Sequence, residues 1–187
     1  MSTIGKISIR PARIADAGAI ARLDVETWQA TYAGILGTSY LAGLSTRRRE
    51  LGWASAIHRA PNEVLVANNS ANDIIGFGSC GACRGETDFT AEVFTLYVAP
   101  DWQNQGIGRR LLLTMFGRLA AQGHGSVVIW VLQENPARFF YQRLGGKEVR
   151  RKLLPFNGTS VPACGYGWRD LPAYLATQAG AAGEPEG

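Results

Sequence analysis

The residues of this chain best placed to do chemistry are Gln103-Asn104-Gln105-Gly106-Ile107-Gly108. They stand between an apolar run, Val93-Phe94-Thr95-Leu96-Tyr97-Val98, and an amphipathic run that begins at Ile107. That order reads as strand, glycine-bearing loop, helix. The first amides of a helix lack intrahelical partners and carry partial positive charge, so the place suits an anion, a phosphate above all. Glycines let the backbone approach such a ligand closely. Other reactive residue types are less well placed. Cys80-Gly81-Ala82-Cys83 has C-x-x-C spacing, but no second pair completes a zinc site. It also ends a strand pattern, where a redox motif would open a helix, so no metal is expected. His58 lies near a helix end and His124 in a Gly-flanked turn, and neither is given a catalytic role.

Charge points to the same loop. The net charge is +4. Residues 1–99 hold nine Lys/Arg and nine Asp/Glu, whereas residues 100–152 hold nine against three. A polyanionic small molecule would be drawn there. Nucleic acid would be too, but no recognised nucleic-acid-binding motif is present, and no nucleic-acid partner is expected. The three cysteines, Cys80, Cys83 and Cys164, fit a reducing compartment better than a disulfide framework. Residues 1–10 hold no continuous apolar run of the secretory kind, and no run is long enough to cross a bilayer. A cytoplasmic protein without a membrane partner is the expectation.

The elements that must hold the loop follow from periodicity. Residues 6–10 alternate as a short strand stopped by Pro11. Ala17, Ala21, Val25, Trp28 and Tyr32 recur at helical spacing until Gly34 and Gly37. A second helix is expected over about 39–57, with Arg47-Arg48-Arg49 on it, and then a turn at Pro61-Asn62. Residues 64–67 and 74–80 read as strands joined by an Asn-rich turn. Residues 90–99 form the strand before the loop. The helix over 106–122 buries Ile107, Leu111, Leu112, Met115, Phe116 and Leu119 on one face. Residues 126–132 read as a buried strand. Asn135-Pro136 opens another helix, Asn as N-cap and Pro at the first position, which stops at Gly145-Gly146. Residues 147–153 and 161–168 form a final hairpin around Asn157-Gly158.

A right-handed crossover makes strands 90–99 and 126–132 parallel, and hairpins make the rest largely antiparallel. The expected fold is mixed α/β. It has a largely antiparallel seven-stranded sheet, a central parallel pair and about four flanking helices. One domain over 1–175 is followed by a Gly/Ala/Glu-rich tail, 176–187, expected to be disordered.

Three phosphate readings compete. A P-loop needs G-x-x-x-x-G-K-[ST]. Here Arg109-Arg110 follow Gly108 and no glycine stands five positions upstream. A dinucleotide fold needs G-x-G-x-x-G directly after its strand. Gly106 and Gly108 supply two glycines, Leu111 holds the third position, and residues 100–105 intervene, although Glu134 could serve as the ribose acid.

The third reading is a resemblance. Gln103-x-x-Gly106-x-Gly108 resembles the Q/R-x-x-G-x-G/A signature of the Gcn5-related N-acetyltransferase (GNAT) superfamily. Further blocks in the right order resemble that family too: Ile9-Arg10-Pro11-Ala12 with Asp16, Leu96-Tyr97-Val98-Ala99-Pro100, then Asn135, Ala137, Phe140-Tyr141 and Leu144-Gly145. Residues 161–168 sit where the family's last strand would be. Gly146 departs from the pattern, where Phe is common, implying a lost packing contact.

The resemblance implies acetyl-CoA between two splayed parallel strands. Leu96, Tyr97 and Val98 would pair with its pantetheine arm. Gln103, Asn104, Gln105, Gly106, Ile107, Gly108 and Arg109 would hold its pyrophosphate, and Asn135 and Phe140 would adjoin it. An alkyl ammonium has a pKa near ~10.4 and a thiol near ~8.5, so a base for the amine matters more than an acid for the thiolate. A strand N–H could stabilise the developing oxyanion. Glu92 is the candidate base, with Asp88 and Glu86 behind it, and Tyr141 is the candidate acid. Trp28, Tyr32 and Tyr40 would wall the acceptor site, and Glu26 could bind a cationic acceptor. The implied activity is acetyl transfer to a primary amine, on a small molecule or a peptide, by direct attack in a ternary complex. The alternative is a non-catalytic acyl-CoA-binding sensor. Family members often dimerise, so a homodimer is possible.

Overall fold

Apolar side chains at period two and at helical spacing sort the chain into strands and helices that bury both faces of one sheet. The computed structural model describes residues 7–61, 63–85, 88–156 and 158–181. Lys6, Asn62, Glu86 and Asn157, each used above, lie outside the described residues. The strands are β1 (Ser8–Pro11), β2 (Val64–Asn68), β3 (Ile74–Ala82), β4 (Ala91–Val98), β5 (Val127–Leu132), β6 (Lys147–Phe156) and β7 (Thr159–Trp168). They form one sheet in the order β1-β2-β3-β4-β5-β7-β6. Only β4 and β5 run parallel; the other neighbours are antiparallel.

The helices are α1 (Ala17–Thr31), α2 (Thr38–Ala42), α3 (Thr46–Arg59), α4 (Ile107–Ala121), α5 (Ala137–Arg143) and α6 (Leu171–Ala181). Among the described residues six helices stand where about four were expected, for two reasons. The helix read over 39–57 breaks at Gly43, and Ser45 then caps α3 by accepting from Arg48 N at 3.2 Å. The stretch that includes the start of the expected tail is helical through Ala181. Asp170 Oδ1 accepts from Ala173 N at 2.9 Å, and Leu171 is fully buried. Residues 182–187 lie outside the described residues.

Helices α1 and α3 cover one face of the sheet, where Ile20, Leu23 and Ile57 meet Val64, Val66 and Phe77. The face formed by α4, α5 and α6 packs Leu65, Ala67, Val93, Ile129 and Val131. The apolar face expected of α4 is buried in full. Gly78 brings α4 close to the sheet: a Cβ there would stand 2.8 Å from Met115 Cε. This close approach fixes where the N-terminus of α4, and hence the loop before it, meets the sheet.

Candidate active site

The parallel ladder is short. Only Ala91–Val127, Glu92–Val128 and Val93–Ile129 pair across β4 and β5. Beyond Val93 both strands continue without pairing, so β4 keeps backbone groups toward β5 that no strand satisfies. On its other side β4 steps out of register between the partners of Ser79 and Cys80, which leaves Phe94 bulged. A cleft of about 140 Å³ fills the opening, lined by Thr95, Leu96, Tyr97, Val98, Ile129, Val131 and Tyr141 among others.

The loop closes one end of this cleft. Asn104 and Gly106 take left-handed backbone, φ 59° and 76°, and Gly106 is the N-cap of α4. Arg110 N donates to Gly106 O at 3.0 Å, so the amides of Ile107, Gly108 and Arg109 precede the helix's own ladder. A cavity of about 630 Å³ adjoins them. Ten residues expected at the cofactor line it: Leu96, Val98, Gln103, Asn104, Gly106, Ile107, Gly108, Arg109, Asn135 and Phe140. Tyr97 lies deeper, in the cleft. Gln105 lines neither space, its amide donating to Asp101 O at 3.2 Å. Gln103 also turns a donor inward, to Val98 O at 3.1 Å. Arg109 donates to Gln178 of α6 at 2.8 Å. Trp102 and Arg143 join the lining without having been foreseen.

Helix α5 supplies Tyr141. Asn135 Oδ1 accepts from Ala137 N at 2.9 Å, the capping role expected of it. Tyr141 is buried, 5.3 Å from the Phe140 ring and stacked with Tyr166 at 6.3 Å. It lines both the cleft and the larger cavity. Burial pushes its phenol pKa well up, so the hydroxyl keeps its proton. The packing loss expected at Gly146 does not occur. Trp168 Cη2 occupies the space, 2.7 Å from where a Cβ would stand.

A second cavity, about 380 Å³, opens at the other end of the cleft. Tyr32 and Tyr97 line both spaces, their hydroxyls 3.2 Å apart. Trp28 stands one helical turn from Tyr32, ring centroids 4.8 Å apart. Glu92 reaches this cavity in an ion pair: Arg84 Nη2 donates to its Oε1 at 3.0 Å and Arg84 N to its Oε2 at 3.3 Å. The structure thus brings Trp28, Tyr32 and Glu92 together. It does not bring Glu26 or Asp88, both exposed and outside this lining. Tyr40 touches the Trp28 and Phe156 rings but lines a separate groove along α2 and α3.

Sequence reasoning missed most of this cavity: Cys83, Arg84, Gly85, Phe94, Trp130, Leu132, Lys152, Leu154 and Phe156. Strand β6 runs past the expected end at 153, and Lys152, Leu154 and Phe156 alternate along it on one face. Nothing in the sequence said which strand that face opposed. Also missed was Asp24, fully buried on α1, which accepts from Arg49 Nη1 at 3.0 Å and Trp53 Nε1 at 2.9 Å. The Arg49 guanidinium in turn lies 4.8 Å from the Trp28 ring centroid.

Among the described residues, no group of three or more His, Cys, Asp or Glu could hold a metal ion. No helix there is long and apolar enough to cross a membrane.

Residues 60–145 match the family model described as an acetyltransferase (GNAT) domain. The chain is 32% identical over 168 residues to an uncharacterised N-acetyltransferase, YuaI, of Bacillus subtilis, covering 89% of this chain and 95% of that one. It is 33% identical over 96 residues to the ribosomal protein bS18-alanine N-acetyltransferase of Haemophilus influenzae, covering 50% and 61%. Its fold is similar to that of yncA, a putative acetyltransferase of Salmonella typhimurium solved with its cofactor acetyl-CoA. The TM-score is 0.67 at 22% identity, over 88% of this chain and 94% of that one.

Proposed function

The chain belongs to the GNAT family of N-acetyltransferases and is an acyltransferase; on that premise we propose that it moves an acetyl group from acetyl-CoA to a primary amine by direct attack in a ternary complex. Acetyl-CoA would supply the acyl group as an activated thioester. The observation that carries the reading is the continuity of three spaces. The loop cavity shares Leu96, Val98, Gln103, Asn135 and Tyr141 with the cleft, and the cleft shares Tyr32 and Tyr97 with the cavity beside Glu92. A donor entering at the loop and an amine entering beside Glu92 would meet in the cleft.

Each group has a role in this reading. The amides of Ile107, Gly108 and Arg109 and the N-terminus of α4 hold the pyrophosphate. The unpaired backbone edge of β4 along Leu96, Tyr97 and Val98 holds the pantetheine arm. Tyr141, kept protonated by burial, donates to the departing thiolate. Glu92 is the acid among the described residues lining the acceptor cavity, and it draws in the ammonium and takes its proton, directly or through water. The acceptor is an amine on a small molecule or a peptide; the Haemophilus relative is named for an alanine of a ribosomal protein. The small, odd number of cysteines favours a cytoplasmic setting.

Thiol release from acetyl-CoA, offered a panel of amines, tests the reading. Release with at least one amine is expected, together with acetyl-CoA-dependent thermal stabilisation. Glu92→Gln and Tyr141→Phe should each lower kcat by about 100-fold or more. Stabilisation without release from any amine would favour the acyl-CoA sensor. Unchanged rates in both variants would overturn the site assignment.

A further inference from the structure

The charge around the acceptor cavity does not suit a purely cationic acceptor. The described residues lining it carry two cations, Arg84 and Lys152, against one anion, Glu92. Arg84 and Glu92 pair at 3.0 Å, which leaves Lys152 as the surplus. Lys152 makes no ion pair among the described residues. Its Nζ lies 3.7 Å from the Trp130 ring centroid, a cation–π contact that parks the ammonium against the cavity wall. The indole is itself wedged: a Cβ on Gly165 would stand 3.0 Å from Trp130 Cζ3. A fixed ring therefore positions a cation that has no carboxylate partner among the described residues.

An acceptor amine enters as an ammonium, and a polyamine would bring several charges into a space whose described residues are already one positive. A carboxylate on the acceptor reverses that balance by giving Lys152 its missing partner while Glu92 faces the amine. We infer that the acceptor is a small amine that carries its own carboxylate, an amino acid being the simplest case, with Lys152 as the carboxylate-binding residue. The rest of the wall, from Trp28, Phe94, Trp130, Leu154 and Phe156, suits an apolar or aromatic body beside the two charged groups. This inference rests on the cavity beside Glu92 being the acceptor site of the proposed reaction.

Matched pairs of amines test it: L-phenylalanine against phenethylamine, and 5-aminopentanoate against pentylamine. Binding is read from the tryptophan fluorescence of the full chain with acetyl-CoA present, and thiol release is recorded separately. In at least one pair the carboxylated member should bind about fivefold or more tightly. Lys152→Met and Lys152→Gln should collapse that ratio toward one, and Lys152→Arg should keep most of it. Equal binding in both pairs, preference for the members without a carboxylate, or a ratio untouched by Lys152→Met and Lys152→Gln would overturn the inference. Thiol release separates the two readings. Its absence with every amine counts against the transferase mechanism, whereas the binding ratio judges the carboxylate alone.

Discussion

Trp168 and Gly146 share one volume. A Cβ built on Gly146 would stand 2.7 Å from Trp168 Cη2 and 2.9 Å from the Tyr141 carbonyl oxygen. The indole N–H donates to Leu144 O at 3.0 Å, and Gly146 N donates to Tyr141 O at 2.9 Å. The indole of the last strand thus takes the place of a side chain at 146 and ties down the end of the helix that carries Tyr141. Gly146→Phe should destabilise the protein by about 1–3 kcal/mol, because the core there is already filled. Trp168→Ala alone should cost about 3–5 kcal/mol. The double variant should cost less than the two together, since the new ring can enter the vacated space. Urea denaturation of the four proteins measures the coupling. Strict additivity would show that the two residues do not compete for space.

Asp24 organises a second contact with the wall proposed for the acceptor. Its carboxylate accepts from both Arg49 and Trp53, and Arg49 lies over Trp28. Burial raises the Asp24 pKa, opposed by Arg49 and Trp53. Removing the carboxylate strands a partly buried guanidinium and an indole N–H. Asp24→Ala should therefore cost about 3 kcal/mol. It should also raise KM for the acceptor more than it lowers kcat, because Trp28 loses its fixed position while Tyr141 keeps its own. A fall in kcat at constant KM would mean that the network serves the chemistry and not the wall.

Much of this arrangement could be read from the chain because its signals are local. The loop was legible from two glycines set between an apolar run and an amphipathic one, and Asn135-Pro136 marked the start of α5 within a residue. The parallel pairing of β4 and β5 followed from the strand-helix-strand order with its right-handed crossover. The cavity beside Glu92 was not legible, since it joins Trp28, Glu92, Trp130 and Lys152 from four elements that only the sheet order brings together. Helix α6 was missed because its second half runs into the Gly/Ala/Glu-rich stretch read as tail. Its cap, Asp170 before Leu171-Pro172, was present in the sequence, and the burial of Leu171 with Tyr174 against Phe116 decides the outcome.

The tyrosines give a pH signature. Tyr32, Tyr97, Tyr141, Tyr166 and Tyr174 all have pKa values raised above 10.0, with burial the largest cause in each. The folded state therefore holds protons that the unfolded state releases first. Stability from these groups is fully present below the unfolded value near pH 10 and is lost as pH rises from there through the raised folded values. Absorbance at 295 nm should show most of the six tyrosines remaining protonated in the folded protein at pH 10 and ionising together on unfolding. Tyr141→Phe should remove part of the alkaline loss of stability. A folded-state titration centred at the ordinary value for all six would contradict the burial described for Tyr141.

Gly106 isolates the loop's backbone geometry from its side chains. Its φ of 76° is left-handed, yet a Cβ there would meet nothing within 4 Å. Any penalty from a larger residue must then come from the backbone conformation itself, about 1–2 kcal/mol for an ordinary L residue. Asn tolerates the left-handed region better than Ala or Val. The neighbouring Asn104 already does so, at φ 59°. Stability should therefore fall in the order Gly106, Asn, Ala, Val, and acetyl-CoA affinity should fall in the same order as the loop relaxes and its amides turn away. Calorimetric titration with acetyl-CoA, beside urea denaturation, checks both. If Gly106→Val binds acetyl-CoA as tightly as the parent while losing stability, the strain resides in the fold alone. The amides ahead of Arg110 would then not be what holds the pyrophosphate.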